Sequence, residues 1–399
     1  MAGPPQALSS PPVPEASPRA EATFRWNRVF TVASGHFVHD SFSAFVAPLL
    51  PPIQERLATG VAATGSLSIF IQLPSLLQPL IGYAADRMDL RWFIILAPAV
   101  TATLCSALGL GTGYWLLAML LLAAGMSVAS FHAPAPAMVA RLSGNRVGRG
   151  MSIFMAAGEL GRTVGPVLVA SGVAWWGLEG IWRLALLGWL WSLFLWWQLR
   201  HVALPAPARP MHLREMWPRV RRIYPVLLGL LVARSFMGVA ITTLLPLYMT
   251  RVHRADLQWA SLSLTVLEAA GVLGALAMGT LSDRLGRRRV LAGLLLGGPL
   301  CFFLFLGAPR EWLLPLLLPL GFLAISPTPV FLALVQDYFP QERALANGLF
   351  LTGNFLARSL AVALVGLLAD AFGMPQAFLW SGAVALLAVL GLRWLPEQI

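Results

Sequence analysis

In the first apolar stretch, His36, His39, Asp40 and Ser43 fall at i, i+3, i+4 and i+7, which puts all four on one face of a helix. An acid and two imidazoles on one stripe can gain and lose protons when burial and neighbours tune them. Further apolar stretches hold Glu159 with Arg162, Arg234, Glu268, and Asn354 one turn before Arg358. Guanidinium groups keep their charge in a protein, so Arg162, Arg234 and Arg358 can hold an anionic or strongly polar group. Asp40, Glu159 and Glu268 are the acids able to carry a proton against them. His36 and His39 join the arginines and Asn354 as candidate substrate contacts. Glu159 and Arg162 can equally form a purely structural pair, and His132 can satisfy backbone groups freed by Pro134 and Pro136. No His-Glu-x-x-His spacing, no serine nucleophile motif and no phosphate loop ending in Lys occurs. No metal, no cofactor and no enzymatic activity are therefore expected.

The elements that position these groups follow from composition. Of 399 residues, 58% are hydrophobic and only 11% charged, at a mean hydropathy of +0.73. A soluble domain carries about 25% charged residues, so an ordinary cytosolic protein is excluded. The 28 basic residues are all Arg, and they cluster in short gaps, which is a topology signal and not a nucleic-acid surface. Cys105 and Cys301 lie in apolar runs and imply no disulfide framework.

A crossing helix needs about 20 mostly apolar residues. Twelve such spans are predicted, near 30–51, 61–84, 92–110, 114–140, 149–173, 180–199, 224–250, 257–281, 289–308, 312–336, 343–368 and 373–395. The expected organisation is a disordered tail at 1–23, a bundle at 24–199, a cytoplasmic loop at 200–222 and a second bundle at 223–399. With both termini in the cytoplasm, most arginines face that side; Arg56, Arg251, Arg254 and Arg310 face the other, with Arg183 at a boundary.

The halves repeat. Gly82-Tyr83-Ala84-Ala85-Asp86-Arg87 matches Gly279-Thr280-Leu281-Ser282-Asp283-Arg284 at a shift of 197, and Leu49-Leu50-Pro51 matches Leu244-Leu245-Pro246 at 195. Pro134 and Pro136 match Pro327 and Pro329 at 193. The same shift pairs His39 with Arg234, Gln72 with Glu268, and Arg162 with Arg358. The fold class is thus an all-α integral membrane protein of twelve transmembrane helices. Its two six-helix bundles are related by a pseudo-two-fold axis along the membrane normal, with a site between them near mid-depth.

The paired loops resemble the signature of the major facilitator superfamily: Gly82, Asp86, Arg87 in one copy, and Gly279, Asp283, Arg284, Gly286, Arg287 and Arg288 in the other. Gly35-His36-Phe37-Val38-His39-Asp40, Pro48-Leu49-Leu50-Pro51 and Ser130-Phe131-His132 look like the fosmidomycin-resistance group of efflux transporters within it. Gly161-Arg162-Thr163-Val164-Gly165-Pro166 partly resembles the helix-five motif of superfamily antiporters. The resemblance implies a secondary transporter exporting a small polar or anionic molecule in exchange for protons. Alternatives are an importer of an organic anion, or a non-transporting receptor or lipid-handling protein on the same scaffold. Gly82, Asp86, Arg87, Gly279, Asp283, Arg284 and Arg288 are the expected gate. The expected partners are substrate, protons and the lipid of the plasma (inner) membrane, with no nucleic acid, for a monomer. Asp40 is expected to face Arg234 across the cavity, with Glu268 as rival proton carrier because Gln72, its counterpart, cannot titrate. Gly158, Gly161 and Gly165 form a flat stripe suited to close helix packing.

Overall fold

The computed structural model describes residues 24–78, 80–81, 91–143, 147–202, 213–339 and 343–395. All secondary structure among them is helical, in twelve antiparallel spans. The first bundle comprises Trp26–Ser43 with Val46–Leu57, Val61–Gln72 with Leu73–Leu77, Arg91–Ser106 with Ala107–Leu110, Tyr114–His132 with Pro134–Leu142, Val147–Gly180, and Ile181–Leu184 with Ala185–Leu199. The second comprises Leu213–Thr242 with Leu245–Arg251, Leu257–Leu285, Arg287–Leu306, Arg310–Ile325 with Pro327–Tyr338, Arg343–Phe372, and Met374–Gly391 with Leu392–Trp394. Nine apolar runs among the described residues are long enough to cross a bilayer. The run 153–199 holds the fifth and sixth spans together, the second span's is shorter (Val61–Leu77), and the first span is interrupted.

Proline explains the interruptions. A proline ring clashes with the carbonyl four residues back. Pro246 lies four after Thr242, Pro136 four after His132 and Pro329 four after Ile325, and a helix ends at each of those residues. Pro48 lies four after Ala44, where the first span breaks. The first and seventh spans thus break alike, as do the fourth and tenth, which carries the repeat from sequence into shape.

The 200–222 stretch is not all loop. The seventh span already begins at Leu213, among residues (Leu213, Arg214, Glu215, Met216) of high helix propensity. Gly286, between the eighth and ninth spans, has φ 89°, a conformation that L side chains rarely adopt, so the tight turn there needs glycine.

Cores are shared at one end and separate at the other. At the end away from the termini, Phe42, Leu49 and Leu50 pack in one cluster with Leu244, Leu245 and Val362. Towards the termini, Val29, Phe131 and Leu199 form a core within the first bundle, and Ile223, Phe331 and Phe350 a core within the second. Among the described residues, the hydrogen bonds between the bundles follow the same division. Asp370, at the end of the eleventh span, accepts from the backbone N–H of Val61 (2.6 Å) and Ala62 (2.8 Å) at the start of the second. Arg251 Nε donates to Gln54 Oε1 (3.0 Å), and Thr265 Oγ1 to the carbonyl of Thr163 (2.8 Å). The halves are sealed at the far end. Trp115, Trp175, Trp312 and Trp394 stay exposed near span ends, as amphipathic rings do at membrane interfaces.

Candidate functional site

A cavity of about 440 Å³ lies between the bundles, on the terminus side of the seal. The first bundle contributes Asp40, Gln72, His132 and Arg162 to its wall, and the second contributes Arg234, Glu268, Asn354 and Arg358. Two of the three repeat-related polar pairs, Gln72 with Glu268 and Arg162 with Arg358, therefore face one space. The third splits: Arg234 reaches the wall, and His39 does not.

Asp40 is the hub of the first wall, with only 3% of its side chain exposed. His39 Nδ1 lies 3.0 Å from its Oδ1, and His132 Nε2 lies 3.4 Å from the same atom. His36 Nε2 lies 3.3 Å from Oδ2, and Arg162 reaches Oδ2 at 3.5 Å. Arg162 also pairs with Glu159 one turn back. The expected Asp40–Arg234 pairing is thus replaced by one with Arg162, because the fifth span packs directly against the first. That approach needs its glycines. A Cβ on Gly161 would stand 2.3 Å from the Phe37 carbonyl, and one on Gly165 equally close to that of Ser41.

The same approach decides where His36 and His39, expected as substrate contacts, are placed. Both are buried and absent from the cavity wall. His36 stacks on Phe154 (centroids 4.0 Å apart) and His39 on Phe131 (4.6 Å), so both address Asp40 from behind. Glu159 is likewise off the wall, held by Arg162. His132 bonds a carbonyl other than those four residues before Pro134 and Pro136: Nδ1 meets that of Val128 (2.9 Å), while Nε2 faces His36 Nε2 at 3.2 Å. His36, Asp40 and His132 bring potential ligand atoms within 4.8 Å of one another.

The opposite wall is cationic. Arg234 donates to Thr328 Oγ1 (2.8 Å), and Arg358 to Thr242 Oγ1 (3.1 Å) and Thr243 Oγ1 (3.4 Å). No carboxylate among the described residues forms an ion pair with either arginine, and their charges repel. Glu268 interacts electrostatically with both Arg162 and Arg358. Sequence reasoning did not single out these threonines or Asp370. Hydroxyl groups in apolar helices carry no distinctive spacing, and a lone acid at a span end looks like any solvated charge.

Of the expected gate, Gly82, Asp86 and Arg87 lie outside the described residues. Gly279 and Asp283 are placed on the eighth span, and Arg284 is exposed at its end. Arg288 has a different attachment: it donates to the carbonyls of Leu392 (2.8 Å) and Leu395 (2.7 Å) at the end of the twelfth span. Arg91, its counterpart at the shift of 197, donates to the carbonyls of Arg200 (2.7 Å) and Val202 (3.2 Å) after the sixth. Both arginines therefore act as struts within their own bundle, as cations suit a helix C-terminus.

Two helical bundles sealed at one end around a mid-depth polar cavity define a membrane transporter, not an enzyme. The family model described as Major Facilitator Superfamily matches residues 32–274 and 226–398. The chain belongs to the major facilitator superfamily. It is 26% identical to the fosmidomycin resistance protein of Escherichia coli (strain K12), covering 98% of this chain and 99% of that one. It is 23% identical to the MFS-type transporter YfnC of Bacillus subtilis (strain 168), over 96% and 95% of the two chains. Among solved structures, an inward-facing bacterial homologue of the human lysosomal transporter Spinster aligns with a TM-score of 0.78 at 14% identity, over 96% of this chain and 98% of that one. The xylose transporter XylE of E. coli, in an inward-open conformation, aligns with a TM-score of 0.73 at 13% identity, over 94% and 97%. The chain is a multi-pass membrane protein that binds a small-molecule substrate within the membrane.

Proposed function

We propose that the protein exports a small polar or anionic organic molecule in exchange for protons, as a monomer with both termini in the cytoplasm. The observation that carries this reading is the division of the cavity wall. A buried acid ringed by imidazoles stands on one bundle, and two arginines that form no ion pair with a carboxylate among the described residues stand on the other. Arg234 and Arg358, with Asn354, hold the substrate's polar group. Asp40 carries the proton, with His36 and His39 orienting its carboxylate and Arg162 beside it. A proton on Asp40 changes the charge that the wall presents to the substrate, so proton and substrate occupancy are coupled. Placing the termini in the cytoplasm follows the arginine distribution, and makes the sealed end the outer one. Export as the direction is supported by the relative named for resistance to fosmidomycin, since removal of a toxic compound confers resistance.

A second reading of the coupling rests on Glu268. It lines the cavity, is electrostatically linked to Arg162 and Arg358, and has no titratable repeat counterpart. Proteoliposomes loaded at acidic pH and diluted into alkaline medium test both, with fosmidomycin as the probe. Proton exit drives probe uptake if transport is an exchange, whereas the opposite gradient drives it for a proton-linked importer. Asp40→Asn abolishes gradient-driven uptake but keeps equal-pH exchange. Gradient-driven uptake that survives in Asp40→Asn and fails in Glu268→Gln transfers the role to Glu268.

A further inference from the structure

The histidines around Asp40 leave a chemical question that proton coupling does not use up. His36 Nδ1 faces the Phe154 carbonyl at 2.8 Å, and His132 Nδ1 faces the Val128 carbonyl at 2.9 Å. A carbonyl only accepts, so each ring carries a hydrogen on Nδ1, and in the neutral ring Nε2 presents a lone pair. Those two lone pairs face each other at 3.2 Å, and both face the Asp40 carboxylate, at 3.3 and 3.4 Å. Three acceptors converge with no donor among them. Either a proton or a metal cation placed between them relieves that arrangement.

We propose that His36 Nε2, His132 Nε2 and the Asp40 carboxylate form a binding site for a divalent transition-metal ion of the zinc type. Donors held about 2.0–2.1 Å from such an ion in tetrahedral directions stand about 3.3 Å apart, close to the spacing of the two Nε2 atoms and of each from its nearer Asp40 oxygen, Oδ2 for His36 and Oδ1 for His132. Imidazole nitrogen and carboxylate oxygen are a set that Zn²⁺ accepts. Ligating histidines characteristically donate their other ring N–H to a carbonyl, as both do here. Stacking on Phe154 fixes the His36 ring, and His39 Nδ1 at 3.0 Å fixes the carboxylate from behind. Asp40 and His132 line the cavity, so the remaining coordination position opens onto it. Charge also permits it: Asp40 and Glu159 against Arg162 leave one net negative charge while the imidazoles are neutral.

The ion and the coupling proton occupy the same lone pairs, so metal binding excludes the protonated state. In this respect the site rests on the exchange reading above, as a block on it. The groups facing the ion are His36, His39 and Asp40 from the first span, His132 from the fourth and Glu159 and Arg162 from the fifth, with Glu268 of the eighth acting through Arg162. Lower pH is therefore expected to release the ion.

The test uses the full-length chain in detergent, stripped with EDTA and titrated with Zn²⁺ by calorimetry and with Co²⁺ by visible absorption. One ion per chain is expected, with the intense bands of tetrahedral Co²⁺ and release as pH falls. His132→Gln and His36→Gln, each checked for an unchanged elution volume and unfolding temperature, should weaken binding by at least the ~10–100-fold that loss of outer-shell support produces, and abolish the bands. His253→Ala, far from the cluster, leaves both intact. Absence of saturable binding, or binding indifferent to His36 and His132, overturns the site. Transport measured with EDTA present separates the two ideas. Proton exchange without Co²⁺ binding defeats the metal site alone, and Co²⁺ binding without proton exchange defeats the coupling alone.

Discussion

The seal at the far end makes a quantitative prediction. The Asp370 carboxylate accepts two backbone N–H groups that the second span cannot satisfy within itself, and it meets the positive end of that helix. Gly60 permits the approach, since a Cβ there would stand 2.6 Å from Asp370 Oδ2. Hydrogen bonds to a charged group contribute about 1.5–3 kcal/mol each when shielded. Asp370 is exposed, so screening lowers the sum for both bonds and the dipole to roughly 1–2 kcal/mol. Because the contact joins the two bundles, it must break when that end opens. Asp370→Asn keeps the shape and one acceptor but loses the charge, and should shift the equilibrium towards the open far end about 5–30-fold. Spin labels on Glu55→Cys and Ala371→Cys, exposed positions on either side of the seam, report the shift as a growing long-distance population. Cys105 and Cys301 are buried and need no replacement. If Asp370→Asn leaves the distance distribution unchanged, the contact does not hold the end closed.

Three further outcomes follow from the site and its supports. Arg358→Lys retains charge but loses the planar fork, and should raise the substrate concentration for half-maximal transport about 10-fold, with Arg358→Ala worse; unaltered transport in Arg358→Ala means the residue is structural. Asp283→Asn should lower transport at near-normal membrane expression, while Arg288→Ala should lower the unfolding temperature with transport per folded molecule retained; the reverse pattern would exchange gate and strut. Gly161→Ala forces a methyl to within 2.3 Å of the Phe37 carbonyl, and should cost about 1–3 kcal/mol, seen as a lower unfolding temperature; a stability equal to wild type would mean the first and fifth spans separate easily.

Spans and the repeat were legible because each rests on local chemistry, and the prolines that break the spans stand in the same sequence although the expected spans run through them. Apolar runs of crossing length, and prolines four residues after each break, act on the chain wherever it lies. The glycine stripe of the fifth span was legible for the same reason, since small side chains announce a close neighbour without saying which. Residues 213–222 are helical within the expected loop because helix formers lie beside its clustered arginines.

What the sequence could not supply is azimuth. A spacing of i, i+3, i+4 and i+7 shows that His36, His39, Asp40 and Ser43 share a side of the first span, not what that side meets. The stripe is wide enough to divide: Asp40 and Ser43 reach the cavity, whereas His36 and His39 fall under the fourth and fifth spans. His132 joins His36 from 96 residues away, a distance at which no spacing rule operates. The repeat likewise fixes depth without fixing direction. His39 and Arg234 stand at equivalent depth, yet it is Asp40, one residue and about 100° further round the helix, that takes the wall position opposite Arg234. Proximity in a membrane bundle is decided by which helices press close enough to cover a face, so a site of this kind emerges only when the glycines and the charges are read together.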